Sequence, residues 1–139
     1  MSASETGSIF GRFPTTRFRR NRQHEWLREM VAETSVSPQD LVWPLFVHDK
    51  AGREPVTAMP GVNRLAIDDV VQAASEAKSL GIPAIALFPV IDQEHKTADG
   101  QHAVDSDNLV CRTIQAVRAE TGNDVGIICD VALDPYTTH

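Results

Sequence analysis

The residues best placed to do chemistry are two aspartates near the end of the chain. Asp130 and Asp134 lie in the stretch GIICDVALDPYTTH, where an apolar run that predicts a buried parallel strand ends in carboxylates. The C-terminal ends of parallel strands are where α/β proteins place their active sites. A carboxylate there can orient an ammonium group, hold a cation or transfer a proton. The alternative is that Asp134, which Pro135 follows, only starts a turn.

The lysines are weaker candidates, because a Schiff-base lysine needs a desolvated or cation-flanked site. Lys50 lies between Asp49 and an Ala-Gly pair, which predicts a solvated turn. Lys96 lies in a polar loop and Lys78 on an exposed helix face. None of the three is expected to act as a nucleophile.

Two groups of residues are weak candidates for a metal site. His95, Asp99 and His102 share one charged loop, and His139 follows shortly after Asp134. Neither group has the strict ligand spacing of a metal motif. A solvated loop is therefore the favoured interpretation of both.

Three short apolar runs predict strands, and two amphipathic segments between them predict helices. Continuous apolar runs of this length are typical of strands buried on both faces. Pro44 counts against a regular central strand in the first run, because it cannot donate to the ladder. The helices should begin at Asp68 and Ser106 and end at Gly81 and Gly122. The predicted strands are residues 41–47, 84–90 and 125–133, and the loops are residues 48–67, with a turn at MPGV, and 92–105.

The N-terminal segment is basic, although the chain as a whole is acidic. The net charge of −6 argues against general affinity for nucleic acid or anionic membranes. Residues 1–20 predict an extended arm, which binds either RNA or an acidic neighbouring subunit. Residues 21–33 predict a helix, and residues 37–40 a helical turn that Ser37 caps. The arginines before Glu25 are Arg12, Arg17, Arg19, Arg20 and Arg22, and the apolar stripe of the helix is Trp26, Leu27, Met30 and Val31.

Length and composition are typical of one globular domain. Of the 139 residues, 42% are hydrophobic and 23% are charged. No apolar run is long enough to span a bilayer, and the N-terminus lacks the apolar core of a secretory signal. Cys111 and Cys129 have no metal or disulfide spacing, so we expect reduced core residues in a cytoplasmic protein.

Strands that alternate with helices predict right-handed βαβ units and a parallel sheet. An open doubly wound sheet and the first part of a (β/α)8 barrel both fit this pattern. No glycine-rich nucleotide loop follows a strand, which favours the barrel. Because a complete barrel needs ~250 residues, we expect an α/β fold that is the N-terminal part of an incomplete TIM barrel. The expected division is an arm with a helix over residues 1–36 and the first three β/α units over residues 37–139.

Several segments together resemble one family, porphobilinogen synthase, also called delta-aminolevulinic acid dehydratase. They occur in the family's order and spacing, from about residue 15 onward. The segments are TRFRRN at 16–21, DLVWPLFV at 40–47, MPGV at 59–62, LGIP at 80–83, LFP at 87–89 and DVALDPYTTH at 130–139.

The resemblance implies a TIM barrel whose N-terminal arm wraps a neighbouring subunit of a homo-octamer. It implies a hydro-lyase that condenses two molecules of 5-aminolevulinate to porphobilinogen, with loss of water, in tetrapyrrole biosynthesis. The basic segment is then an assembly arm, and neither nucleic acid nor a membrane is an expected partner. The alternatives are another Schiff-base, aldolase-like barrel and a non-enzymatic module that binds RNA through the arginine-rich arm.

The resemblance also bears on the metal and the catalytic groups. Zinc-dependent members carry cysteines where this chain has Ala132 and Asp134, so zinc is not expected, and Mg²⁺ or a monovalent cation is. Asp134, with Asp130 beside it, is expected to hold the substrate amine or a cation. The family's Schiff-base lysines lie in the second half of the barrel and match no lysine here. The 139 residues are therefore expected to be inactive alone.

Overall fold

The structure, a computed structural model, describes residues 14–16 and 19–138. The chain divides into two compact units, Met1–Val36 and Ser37–His139. The first contains a 3-10 helix, Arg20–Arg22, and helix α1, Glu25–Met30. The sequence predicts a longer helix, residues 21–33, and this extent is wrong. No residue of α1 is buried, and short helices owe most of their stability to packing of an apolar face. The predicted arm falls largely outside the described residues.

The second unit is a five-stranded sheet in the order β2-β3-β1-β4-β5. The three predicted strands are confirmed as parallel neighbours, because β4 pairs with β1 on one side and with β5 on the other. The Ser37 turn is confirmed too, as a capping box with Asp40 in the 3-10 helix Pro38–Asp40. The strands are β1 Val42–His48, β2 Arg53–Pro55, β3 Asn63–Leu65, β4 Ala84–Val90 and β5 Gly126–Cys129.

The loop predicted over residues 48–67 is wrong in part, because it contains β2 and β3. These strands pair antiparallel with each other, and β3 also pairs parallel with β1. The predicted turn between them is present, and Gly61 takes a φ of 86° that favours glycine. Strands of three residues are too short to show an alternating pattern in the sequence.

Pro44 lies in β1 where the strand has a partner on one side only. It is in register with Ala86 of β4, whereas β3 pairs only with Phe46 and Val47. Within the described part of the chain, no strand flanks the other side of Pro44. The missing N–H of this proline is therefore tolerated in a strand that is otherwise central.

Helix α2, Ile67–Leu80, and helix α3, Leu109–Thr121, contact each other and pack on one face of the sheet. Their predicted C-terminal residues, Gly81 and Gly122, are confirmed as C-caps. The predicted N-caps, Asp68 and Ser106, are wrong. Asp68 lies in the first turn of α2, after the N-cap Ala66, and a carboxylate there complements the helix dipole. The N-cap of α3 is Asn108, whose Oδ1 accepts the N–H of Cys111 at 2.9 Å.

Side chains alternate between the two faces of each strand, so the pairing register sorts them into two sets. The set that contacts α2 and α3 forms the covered face and includes Val47, Ile85 and Leu87, each at most 1% exposed. The other set forms the open face, whose large apolar side chains include Val42, Phe46, Phe88 and Ile128. His48, at the end of β1, also lies on this face and is buried. Ile128 is 51% exposed and Phe88 is 37% exposed.

The third strand is shorter than the predicted residues 125–133, because β5 ends at Cys129. Immediately afterwards, Asp130 Oδ1 accepts the N–H of Ala132 at 3.1 Å, and this side-chain bond turns the backbone out of the ladder. In the described residues, no helix is long and apolar enough to cross a membrane.

Candidate active site

Asp130 follows directly on β5, at the carboxyl end of the parallel strands. The β4–β5 register ends at Leu87 and Cys129, so Asp130 is the first residue beyond the ladder. The carboxylate is exposed and already accepts the N–H of Ala132. A second carboxylate oxygen remains for a ligand, since an ionised carboxylate accepts through both oxygens.

Asp134 does not belong to β5 but begins a 3-10 helix, Asp134–Tyr136, with Pro135 in its first turn. Its backbone carbonyl accepts the hydroxyl of Thr137 at 3.2 Å and the N–H of Thr137 at 3.3 Å. The carboxylate itself is exposed to solvent. The backbone of Asp134 therefore stabilises the turn through its carbonyl, while its side chain remains available for a ligand.

The loop between β4 and α3 packs against residues 133–137, which are called the Asp134 segment. Thr97 forms an isolated parallel bridge with Thr137, and its N–H donates to the carbonyl of Tyr136 at 3.1 Å. The ring of His102 lies 6.0 Å from the ring of Tyr136, centroid to centroid. Sequence reasoning missed these contacts, because nothing in the local pattern of the loop indicates which later residues it meets.

A bidentate ion pair joins the end of β1 to the first turns of α3. The Nη1 and Nη2 atoms of Arg112 donate to the two carboxylate oxygens of Asp49 at 3.1 and 2.6 Å. This guanidinium lowers the pKa of Asp49 despite partial burial. Paired carboxylate and guanidinium forks are the strongest kind of charged hydrogen bond. The sequence gives no signal for this pair, because each residue alone is an ordinary surface charge.

Lys50 and Lys78 lie where the sequence analysis expects them, whereas Lys96 is half-buried. Lys50 is 58% exposed and its Nζ is 3.0 Å from a carboxylate oxygen of Asp92. Lys78 is 51% exposed and pairs with Asp124 at 2.7 Å, and this hydrogen bond raises the pKa of Lys78. Neither amine is desolvated in the way that a nucleophilic lysine requires.

The histidine loop has a different arrangement from a metal site. The rings of His95 and His102 stack with their centroids 5.0 Å apart. The Oδ1 atom of Asp99 accepts the hydroxyl of Thr97 at 2.7 Å, which lowers the pKa of this carboxyl group. Among residues 14–16 and 19–138, no three His, Cys, Asp or Glu side chains are grouped to hold a metal ion. His139, the other candidate, lies outside the described residues.

Two thiols and a phenol are at least partly buried near the end of the described chain. Cys111 of α3 and Cys129 of β5 are free and half-buried, and Tyr136 is buried. Burial raises the pKa of Cys129, with a smaller effect of Cys111. Burial likewise raises the pKa of Tyr136, and both thiols contribute. The raised pKa values keep Cys129 and Tyr136 neutral near pH 7, where they act as packing residues.

These features define an α/β protein whose candidate site lies at the carboxyl ends of parallel strands. The chain belongs to the delta-aminolevulinic acid dehydratase family, whose family model matches residues 15–139. The sequence-based resemblance to this family is therefore confirmed.

Relatives with this name are found in several kinds of organism. The enzyme of Bradyrhizobium diazoefficiens is 46% identical over 122 residues, and the match covers 87% of this chain and 34% of the relative. The enzyme of Streptomyces coelicolor is 37% identical over 133 residues, with 95% of this chain and 40% of the relative covered. This chain thus spans between a third and two fifths of the length of these relatives.

A solved structure agrees with the sequence matches. It is the delta-aminolevulinic acid dehydratase (porphobilinogen synthase) of Toxoplasma gondii in complex with the reaction product porphobilinogen. The TM-score is 0.79 at 41% sequence identity, and the match covers 88% of this chain and 35% of the Toxoplasma chain. The mixed α/β fold with its five-stranded sheet corresponds to this part of that enzyme.

Proposed function

We propose that this chain is the N-terminal part of a porphobilinogen synthase, which condenses two molecules of 5-aminolevulinate to porphobilinogen with loss of water. The observation that carries the proposal is the match of residues 15–139 to the family, together with the product-bound structural neighbour. The exposed carboxylates at the carboxyl ends of the parallel strands support the location of the site.

We also propose that the sheet is an arc of a TIM barrel, with the open face directed to the barrel interior. The apolar character of Phe46, Phe88 and Ile128 supports this, because an apolar face of a parallel sheet is normally covered. In this proposal residues 1–36 form the assembly arm with its helix and residues 37–139 the first three β/α units. The arm would join subunits into a homo-octamer in the cytoplasm.

In the proposed mechanism the carboxylates hold charge and do not form covalent bonds. Asp134 attracts the ammonium group of 5-aminolevulinate or a bound cation, and Asp130 adds negative charge at the tip of β5. Hard oxygen donors favour Mg²⁺ or a monovalent cation, whereas Ala132 and Asp134 offer no thiolate for zinc. The Schiff-base lysines would come from the part of the barrel that these 139 residues do not match.

A chimera tests the activity and the role of Asp134 together. This chain would replace the matching third of the Bradyrhizobium enzyme, and porphobilinogen formation from 5-aminolevulinate would be measured. We expect an active chimera, an inactive isolated chain, and a loss of about 100-fold or more in kcat/KM for Asp134→Ala, since an essential charge partner is removed. Asp124→Ala is the matched control, because Asp124 is also exposed but precedes β5 at its opposite end.

Three outcomes would contradict parts of this proposal. A folded but inactive chimera would overturn the activity, and turnover by the isolated chain would overturn the need for the rest of the barrel. Unchanged kcat and KM in the Asp134→Ala chimera would remove this residue from the site. After treatment with a chelator, Mg²⁺ or K⁺ should restore activity, and restoration by zinc alone would overturn the proposed cation.

A further inference from the structure

The loop from β4 to α3 touches the Asp134 segment through both Thr97 and Gly100. The N–H of Thr97 donates to the carbonyl of Tyr136 at 3.1 Å. Gly100 is buried, and a Cβ atom placed on it would lie 3.4 Å from Cγ2 of Thr137 and 3.9 Å from Cδ2 of Leu133. The backbone of this loop and the side chains around Asp134 are therefore in direct contact.

The loop is held in one shape by its own hydrogen bonds. The N–H of Gln101 donates to Oγ1 of Thr97 at 3.0 Å and to Oδ1 of Asp99 at 3.3 Å. Gly100 takes a φ of 65°, in the left-handed region that glycine enters at little cost. These hydrogen bonds fix the position of Gly100 relative to Thr137.

The C-terminal end of the loop is hydrogen-bonded to the start of α3. Asn108 Nδ2 donates to the carbonyl of Ala103 at 3.1 Å, and Nε of Arg112 donates to the carbonyl of Asp107 at 3.1 Å. The same guanidinium also forms the bidentate ion pair with Asp49, at the end of β1. The loop is thus fixed at its end and can serve as a rigid support.

We propose that Thr97 and Gly100 are positioning residues for the carboxylate of Asp134. The inference rests on the proposed function, because it matters to catalysis only if Asp134 binds substrate or a cation. Asp134 lies between Leu133 and Tyr136, and both of these contact the loop. Asp130 is placed differently, because it follows a strand that is hydrogen-bonded to β4 as far as Cys129. A change in the loop should therefore move Asp134 and leave Asp130 in place.

The test compares two glycine substitutions in this chain by NMR. Gly100→Val adds both backbone strain and a contact with Thr137, whereas Gly61→Val adds strain at a φ of 86° with no atom within 4 Å of the new Cβ. We expect the amide of Thr97 to exchange about tenfold faster in Gly100→Val than in the unmodified chain, because loss of its bond to Tyr136 opens the contact locally. The side-chain carboxyl resonance of Asp134 should shift, while that of Asp130 and the exchange of β4 amides stay unchanged. Gly61→Val should change none of these.

Gly100→Ala is a second variant, which keeps the test possible if the Gly100→Val chain does not fold. Its single Cβ would lie at ordinary contact distance, so a smaller change in the same direction is expected. Equal shifts of Asp130 and Asp134, or an unchanged Asp134 resonance in both Gly100 variants, would overturn the proposal. These measurements need no turnover, so an inactive chimera would contradict the proposed function without affecting this result.

Discussion

The two faces of the sheet are built from the same kinds of residue but have different surroundings. On the covered face, Ile85 is completely buried in the core that α2 and α3 close. On the open face, Ile128 of the adjacent strand is 51% exposed, and Val42 of β1 is 46% exposed. β1, β4 and β5 thus carry apolar side chains on both faces, although α2 and α3 cover only one of these faces.

The difference shows that a continuous apolar run predicts burial on both faces of a strand, whereas the two helices cover only one face. Antiparallel sheets with one solvated face alternate apolar and polar residues, whereas buried parallel strands are apolar throughout. The runs LVWPLFV and AIALFPV are of the second kind. This supports the proposal that the open face lines the interior of a barrel.

The largest expected effect is a difference in the free energy of unfolding between substitutions on the two faces. Replacing Ile85→Ala should lower the free energy of unfolding by about 2–5 kcal/mol, because it leaves a cavity in a closed core. Ile128→Ala is the matched control on the open face and should cost less than about 1 kcal/mol, since much of this side chain is already in water. Urea unfolding followed by circular dichroism measures both. Equal losses would mean that the open face is packed as tightly as the covered one.

A smaller effect is expected where α3 is attached to the covered face. Asn108 is buried, caps the helix through Oδ1 and donates Nδ2 to the carbonyl of Ala103. Asn108→Ala should therefore lower the free energy of unfolding by about 1–2 kcal/mol. Ser106→Ala tests the cap that the sequence pattern favours, and no measurable loss is expected from it. A larger loss from Ser106→Ala would show that the helix begins earlier in solution.

The elements that could be predicted from the sequence are those that local patterns define. The sequence predicts a strand over residues 84–90, and β4 has these bounds, because a continuous apolar run flanked by loops is typical of a buried strand. The pattern also predicts that α2 ends at Gly81, which takes a left-handed φ of 75° as its C-cap. The end of β5 does not follow in the same way, because the pattern predicts a strand over residues 125–133, whereas β5 ends at Cys129.

The features that could not be predicted depend on partners distant in the sequence. The ion pair between Asp49 and Arg112 spans 63 positions, and the bridge between Thr97 and Thr137 joins two polar loops. Single-sequence patterns carry no information on such pairings. The fold around the candidate site was therefore largely predictable, whereas the contacts that hold the Asp134 segment were not.

The smallest expected effect concerns the ion pair that fastens the end of β1 to α3. Asp49→Asn should lower the free energy of unfolding at pH 7 by about 0.5–1 kcal/mol, a modest value because both side chains are partly exposed and water screens the pair. Asp92→Asn is the control and should cost less, since the Asp92 carboxylate pairs with Lys50 through one oxygen only and Lys50 is 58% exposed. Urea unfolding at low and high salt measures both, and 1 M salt should reduce the Asp49 effect.

The dependence of this effect on pH follows from the direction of the pKa shift. Arg112 lowers the pKa of Asp49 in the folded chain, so the folded state holds the ionised form more firmly than the unfolded state does. The difference between the unmodified chain and Asp49→Asn should be complete above the unfolded pKa of about 3.9. It should shrink as the pH falls through the lowered pKa of the folded state, where the carboxylate is finally protonated. A difference that grew on acidification would contradict the pairing, and one that stayed constant from neutral to strongly acidic pH would mean that Asp49 acts through packing alone.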